Sequence, residues 1–297
     1  MSKTAFIFPG QASQFKGMGK TLYATDHSAR QLFDQADEWL GFKISEVMFE
    51  GSDEDLKQTR ITQPSVFIHS VVSALTLGKD LSYNGVAGHS LGEFSALVAA
   101  GVLSFHDALQ LVSVRAHAMQ HACEVNPGTM AAVVGLEDSR IEEICQGFDE
   151  EIVVAANYNC PGQLVISGSL EGIQKIESVL QAAGAKRVIV LAVGGAFHSP
   201  LMEPARLELE KAIDETNFNV PRLPIYQNVT AVAETDPECI KANLKTQLTA
   251  PVRWTQTMEN MIRDGFQQFY EVGGNGTVLS GFLKRIQRDL PVKSIGA

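Results

Sequence analysis

The run Val86-Ala87-Gly88-His89-Ser90-Leu91-Gly92-Glu93 leaves the chain few ways to fold locally. A short apolar stretch leads into Gly88-x-Ser90-x-Gly92, and an apolar, helix-forming segment from Phe94 to Gly101 follows at once. Strand, sharp turn and helix in that order are what a nucleophile elbow requires. The two glycines remove side chains where the turn is tightest, so Ser90 projects from its tip. A helix starting there also brings backbone N–H groups, and the positive end of its dipole, to where an oxyanion would form. A small-residue turn without chemistry is the plainer alternative. The apolar context on both sides argues for the nucleophile.

The remainder of the chain reads as an α/β protein. Its 297 residues, 45% hydrophobic and 20% charged, suffice for a large core. Ala5-Phe6-Ile7-Phe8 predicts a buried strand ending at Pro9-Gly10. Gln11 to Gln14 then form a loop past the strand's carboxyl end, where open α/β sheets place their ligands. Helical spacing covers 28–40, Pro64 is expected to open a helix running to Leu77, and another helix spans 105–123. At Asn126-Pro127-Gly128 the character changes. Strands are expected at 130–134, 152–156, 164–167 and 187–191, with helices at 137–145 and 170–183. This βαββαβ order marks a ferredoxin-like unit. Alternation then resumes: helix 200–215, strand 223–227, helices 237–248 and 255–264, strand 267–271 and helix 277–288. The expected architecture is a core of residues 1–125 and 199–297, interrupted by a small insert at 126–198.

Bulk properties narrow the function classes. A net charge of −10 leaves no basic excess for binding nucleic acid. Cys123, Cys145, Cys160 and Cys239 show no metal-ligand spacing, so free thiols in a reducing compartment are expected. The N-terminus carries no secretory pattern and no apolar run reaches the roughly 20 residues of a membrane span. A soluble, cytoplasmic, monomeric protein is the expectation.

A serine hydroxyl needs a base, and seven histidines are candidates. His89 adjoins Ser90 and should point away across the turn. His27 and His69 fit surface or packing roles in or beside helices, and His106 carries no signal of its own. His117 and His121 have the spacing of a helical metal pair, yet no carboxylate-rich partner motif accompanies them, which favours a solvated face. His198 differs. It lies in Gly194-Gly195-Ala196-Phe197-His198-Ser199-Pro200, at the junction of the insert and the following helix. Such junctions bring two units to one cleft, where substrate pockets form preferentially.

Arg115 interrupts the apolar stripe Ala108, Leu111, Val112, Met119 and Ala122 of its helix. A guanidinium cannot shed its charge, so on a buried face it needs an anionic partner. That partner is either an internal carboxylate or a substrate carboxylate held bidentately beside Ser90. Gly273-Gly274-Asn275-Gly276 lacks the Gly-Lys-Ser/Thr ending of a phosphate loop and reads as a tight strand-to-helix turn.

With these residues assembled, the chain resembles the malonyl-CoA:acyl carrier protein transacylases from end to end. The similarity runs through Phe8-Pro9-Gly10-Gln11-Ala12-Ser13-Gln14, Thr62-Gln63-Pro64, Gly88 to Glu93, Arg115, Asn157-Tyr158-Asn159-Cys160-Pro161-Gly162-Gln163 and Ala196-Phe197-His198-Ser199. The resemblance implies an α/β-hydrolase-like core with a ferredoxin-like insert, and Ser90 as nucleophile with His198 as base. It further implies an oxyanion hole from the Gln11 and Leu91 N–H groups, and Arg115 as the malonyl carboxylate clamp. The carbonyl that orients the histidine matches Gln247, and Gln63 and Asn157 match pocket-lining positions. Many members read Gly-Gln-Gly where this chain has Gly10-Gln11-Ala12, a change expected to be tolerated with a negative φ at Ala12. Phe197 fills a position that is smaller in relatives taking methyl-branched units, which favours unbranched malonyl.

The activity so implied is malonyl transfer from malonyl-CoA to the phosphopantetheine thiol of acyl carrier protein, by a ping-pong route through a malonyl-Ser90 ester, for fatty acid synthesis. Thioester, ester and thioester are close in energy, so no metal or other cofactor is expected. A discrete acyltransferase serving a polyketide synthase is the nearest alternative. A serine esterase or thioesterase shares the elbow, but would place its histidine nearer the C-terminus and use an HGGG-type loop. A non-catalytic acyl-CoA or carrier-binding module would not need Ser90 and His198. Carrier proteins are acidic, so docking on this acidic chain calls for a local basic patch. Lys284, Arg285 and Arg288 on the last helix, with Lys186 and Arg187, are the candidates.

Overall fold

Ala5, Phe6, Ile7 and Phe8 are fully buried and form the heart of the central strand, as their unbroken apolar run predicts. The computed structural model describes residues 2–296. In chain order the strands are β1 (Lys3–Phe8), β2 (Gly85–Gly88), β3 (Gly128–Val134), β4 (Val153–Cys160) and β5 (Gln163–Ser169). There follow β6 (Arg187–Val190), β7 (Ile225–Tyr226), β8 (Ala233–Glu234), β9 (Phe266–Val272) and β10 (Val292–Ile295).

The larger sheet has the order β10-β9-β1-β2-β7-β8 and is parallel except for the β7–β8 pair. Side chains of β1 alternate between two layers. Phe6 and Phe8 join the core beneath helices Thr59–Thr76, Gly92–Ala99 and Phe105–Val125. Ala5 and Ile7 face the opposite layer, with Trp254, Met258 and Met261 of helix Trp254–Arg263 and Leu279 and Leu283 of helix Val278–Ile286. β1 and β2 run in register from Ala5↔Gly85 to Phe8↔Gly88, so their carboxyl ends are level. The Gly10-Gln11 loop and the Ser90 turn therefore leave the sheet side by side. That position, outside the carboxyl ends of parallel strands, is where such sheets bind ligands.

The second sheet is antiparallel, with the order β4-β5-β3-β6. Helices Asp138–Gln146 and Leu170–Ala182 cover one face, packing Ile141, Ile173, Ile176 and Leu180 onto Ala131, Val133, Leu164 and Ile166. The period-two alternation turns Met130, Ala132 and Val165 to the other face, where they join the core of the larger unit. One side of the small sheet thus becomes a wall of the cleft above Ser90.

The structure departs from the sequence reading in several places. Pro64 does not open its helix: the helix begins at Thr59 and Pro64 sits inside it. The ring removes one intrahelical hydrogen bond, but Gln63, Pro64, Ser65, Val66 and Phe67 are all buried, and packing outweighs the local cost. β4 extends past the expected end at 156 to Cys160 through two register shifts, so Asn157–Asn159 belong to a bulged strand. The last helix ends at Ile286, leaving Arg288 beyond it. The edge strands β8 and β10 lacked an apolar pattern strong enough to predict. No helix among the described residues is long and apolar enough to cross a membrane.

Candidate active site

Ser90 occupies the turn between β2 and helix Gly92–Ala99 with φ at 51°, a left-handed conformation uncommon for a side chain-bearing residue. Both glycines of the motif are sterically required. A methyl on Gly88 would meet the Gly92 main chain, and one on Gly92 would meet the Phe8 carbonyl. The strained turn is tied down on both flanks. Ser90 N–H donates to Asn228 Oδ1 at 2.6 Å, and the Ser90 carbonyl accepts from Gln247 Nε2 at 3.0 Å.

His198 also has a left-handed φ, 58°, and is almost fully buried. Its Nε2 lies 2.7 Å from Ser90 Oγ. Nδ1 donates to the carbonyls of Gln247 at 2.9 Å and Ala250 at 3.2 Å. Those carbonyls accept only, so the proton is fixed on Nδ1 and Nε2 offers its lone pair to the serine hydroxyl. Burial, reinforced by the Arg115 charge, lowers the His198 pKa to about 3. The ring is therefore neutral, with an unprotonated Nε2 facing the serine hydroxyl.

Arg115 is 1% exposed, as its place on the apolar stripe implied. One guanidinium nitrogen donates to Gln63 Oε1 at 2.7 Å; the other reaches Ser90 Oγ at 3.0 Å and Gln247 Oε1 at 3.4 Å. Its Nε has no partner. All these partners are neutral, and among the described residues no carboxylate forms an ion pair with it. Burial pushes against its charge, while the field of Glu93 favours it. Glu93 is itself buried, and desolvation raises its pKa to about 7 even though it accepts from Asn228 N–H and Gln227 Nε2. An internal ion pair is thus not how Arg115 is satisfied. The cationic group is held by two neutral amides and reaches the Ser90 hydroxyl directly.

A cavity of about 230 Å³ opens above these groups, lined by Gln11, Ser90, Leu91, Arg115, Asn157, Phe197 and His198, with Met130 and Val165 from the small sheet. The N–H groups of Gln11 and Leu91 have no protein acceptor among the described residues, as an oxyanion hole requires. Asn157 Oδ1 is buried and unpartnered beside the cavity. Gln63 departs from its expected place. It is fully buried behind Arg115, bonded to the guanidinium and to Met119 Sδ, and does not line the cavity. Ala12 has φ at 77°, not the negative value expected, so its methyl group sits in a region that glycine enters freely.

Among the described residues, the other histidines make no hydrogen bond to Ser90 Oγ. His89 turns its Nε2 to Asn159 Oδ1 at 2.8 Å, and His69 is a buried packing residue accepting from Gly274 N–H. His27, His106, His117 and His121 are exposed. Lys284, Arg285, Arg288, Lys186 and Arg187 are also exposed. Arg285 is additionally tied to its own chain, donating to Gln163 Oε1 at 2.8 Å and the Pro161 carbonyl at 3.1 Å. The sequence reading missed Asn228 and the side chain of Gln247. Both lie in segments with no motif, and only the fold brings them to the turn.

The chain matches the acyl transferase domain family over residues 5–294. It is 42% identical over 294 residues to the malonyl CoA-acyl carrier protein transacylase of Bacillus subtilis, covering 98% of this chain and 92% of that protein. The crystal structure of an acyl carrier protein S-malonyltransferase from Vibrio cholerae superposes with a TM-score of 0.93 at 41% identity, covering 99% of this chain and 96% of that one. A malonyl-transacylase in complex with a type II PKS acyl-carrier protein gives 0.92 at 37% identity, covering 99% and 95%. Both the family match and the full-length relatives lead to one statement: the chain belongs to the acyl transferase family and, within it, to the malonyl-CoA:acyl carrier protein transacylases.

Proposed function

We propose that this protein transfers the malonyl group of malonyl-CoA to the phosphopantetheine thiol of an acyl carrier protein, supplying fatty acid synthesis. The observation that carries the reading is the Arg115 guanidinium, buried without a carboxylate of its own and 3.0 Å from Ser90 Oγ. A buried unpaired cation costs several kcal/mol, and an acyl group ending in a carboxylate relieves that cost at the reacting atom. The names borne by the relatives point to the same substrate class.

Malonyl-CoA enters with its carboxylate on Arg115. His198 Nε2 takes the Ser90 proton as Oγ attacks the thioester carbonyl, and the Gln11 and Leu91 N–H groups hold the oxyanion. Each such donor is typically worth about 3 kcal/mol. The C–S bond breaks and His198 returns the proton to the CoA thiolate. The carrier's thiol then enters, gives its proton to His198 and attacks the malonyl-Ser90 ester; the bond from the acyl carbon to Oγ breaks and His198 returns the proton to Ser90. Gln63 and Gln247 aim the guanidinium, Asn157 offers an acceptor to the substrate, and Phe197 limits the width of the acyl site.

In this reading residues 1–125 and 199–297 form an α/β-hydrolase-like core and 126–198 a ferredoxin-like insert. The β4-β5-β3-β6 order of the small antiparallel sheet supports the latter. Lys284, Arg285, Arg288, Lys186 and Arg187 are proposed to meet the acidic carrier. Arg285 reaches Gln163 at the cavity wall, so the basic face adjoins the cleft.

Intact-protein mass spectrometry after brief exposure to malonyl-CoA tests the proposal. Ser90 should gain one malonyl group and lose it on addition of holo carrier protein. A malonyl adduct retained by the Ser90→Ala variant would remove the mechanism.

A further inference from the structure

Asn228 is 1% exposed, lines no part of the cavity, and yet bonds to both sides of the Ser90 turn. It lies just past the carboxyl end of β7, the strand beside β2. Main-chain pairing between those strands stops at Ala87↔Tyr226. Beyond that point the Asn228 side chain takes over. Its Nδ2 donates to the Gly88 carbonyl at 2.6 Å, and its Oδ1 accepts the Ser90 N–H at 2.6 Å. One planar amide therefore spans the turn from the residue before His89 to the residue after it. Asn228 is held in turn by its own backbone N–H, which donates to Glu93 Oε2 at 2.8 Å.

Taking Ser90 as the nucleophile, we propose that Asn228 is the positioning residue of the turn, its amide holding Ser90 in the left-handed conformation that aims Oγ at His198. Rotation about φ at Ser90 would swing Oγ away from His198 Nε2 and move the following Leu91 N–H with it. Without the amide, the Gly88 carbonyl and Ser90 N–H lose their partners and the turn relaxes toward an ordinary backbone region. The two groups need a donor and an acceptor side by side on one planar group of this size, which the amide supplies and a protonated carboxyl can mimic. The acyl-binding surface is untouched by Asn228, so its loss should act on turnover and not on substrate affinity.

The test compares Asn228→Ala, Asn228→Asp and the wild type in single-turnover malonylation and in labelling of Ser90 by a fluorophosphonate. Asn228→Ala should lower kcat by roughly 30- to 1000-fold with KM for malonyl-CoA changed less than about threefold, the pattern of a lost transition-state geometry. Asn228→Asp should be impaired at pH 8 and recover relative to wild type as the pH falls and its carboxyl gains a proton. Phe33→Leu, in the Tyr23–Phe33–Phe49 cluster away from the cavity, serves as the control for lost stability alone. It should keep its kcat well below its melting temperature. A kcat for Asn228→Ala within threefold of wild type, or an Asn228→Asp deficit that is the same at every pH, would overturn the proposal. If Asn228→Ala does not fold, the pH response of Asn228→Asp decides. A wild type that forms no malonyl-enzyme would sink the transacylase reading instead, and the fluorophosphonate rates would still report on Asn228.

Discussion

Ser90 Oγ and His198 Nε2 lie 2.7 Å apart although 108 residues separate them in the chain. The pairing depends on two loops converging from different units: the turn after β2 and the segment that returns from the small sheet. Both residues have left-handed backbones, φ 51° and 58°, so the contact is held against local preference. Such strain costs of order 1–3 kcal/mol per residue and persists only where surroundings impose it. Here the Gln247 segment does so. Its carbonyl fixes the histidine, while its side chain holds the serine carbonyl and touches Arg115. Ser90, His198 and Arg115 share one support.

The proposed role of Arg115 as carboxylate clamp makes acyl selectivity its readout. Arg115→Ala should cut kcat/KM for malonyl-CoA by at least roughly 100-fold, the scale of a buried charge-assisted pair. The same change should leave acetyl-CoA transfer equal or improved. Arg115→Lys should not restore malonyl transfer, since an ammonium cannot reproduce the planar fork that binds Gln63 and a carboxylate together. Steady-state rates with the two thioesters check this. Unchanged selectivity would remove the assigned role.

The proposed carrier docking rests on a local basic face, because the chain itself carries a net charge of −10. Lys284→Glu with Arg288→Glu should raise the KM for the carrier protein and leave single-turnover malonylation by malonyl-CoA unaltered. The KM effect should shrink with added salt, since exposed charges act over about 10 Å at 0.1 M ionic strength. A carrier KM indifferent to both charge and salt would place docking elsewhere.

The elbow, the buried β1 strand and the βαββαβ order were legible in the sequence because each is a local pattern of apolar period and punctuation. Arg115 was legible for a related reason: a charge inside an apolar stripe contradicts its surroundings. What escaped is non-local. Asn228 and Gln227 follow a two-residue strand with no motif, and their importance arises only from lying beside β2. Gln63 matched a lining position by resemblance, but helix Thr59–Thr76 starts before Pro64 and directs Gln63 behind the guanidinium. Ala12 escaped because composition does not disclose φ.

That φ of 77° at Ala12 supplies the next prediction. A left-handed conformation costs an alanine roughly 1–2 kcal/mol that glycine does not bear. Glycine loses about 0.5–1 kcal/mol through the greater freedom of the unfolded chain. Ala12→Gly should therefore raise stability by about 0.5–1 kcal/mol in denaturant titration. The Gln11 N–H stays in place, so malonylation should remain within about twofold of wild type. A destabilised Ala12→Gly variant would mean that the local backbone is not strained.

Activity and stability should part company in acid. His198 has a pKa near 3 in the folded chain because burial and Arg115 oppose its charge, so kcat/KM for malonyl-CoA should show no histidine-like loss around pH 6.5. Stability behaves otherwise. The unfolded chain protonates this histidine near pH 6.5 and the folded chain does not, so stability is full above that pH and falls as pH drops toward 3. His69, lowered to about 4 by burial, acts with the same sign. Glu93, raised to about 7, acts oppositely: its folded form keeps a proton that the unfolded chain releases, so its contribution is lost as pH rises from 4.5 to 7. Between pH 5 and 6 these three groups leave the unfolded chain about one proton ahead, a slope of about 1.4 kcal/mol per pH unit. Urea unfolding at pH 5, 6 and 7, set beside a kcat/KM profile over the same range, measures both. Half-maximal kcat/KM near pH 6.5 that persists in a Glu93→Gln variant would show that His198 is solvated and not held neutral by burial.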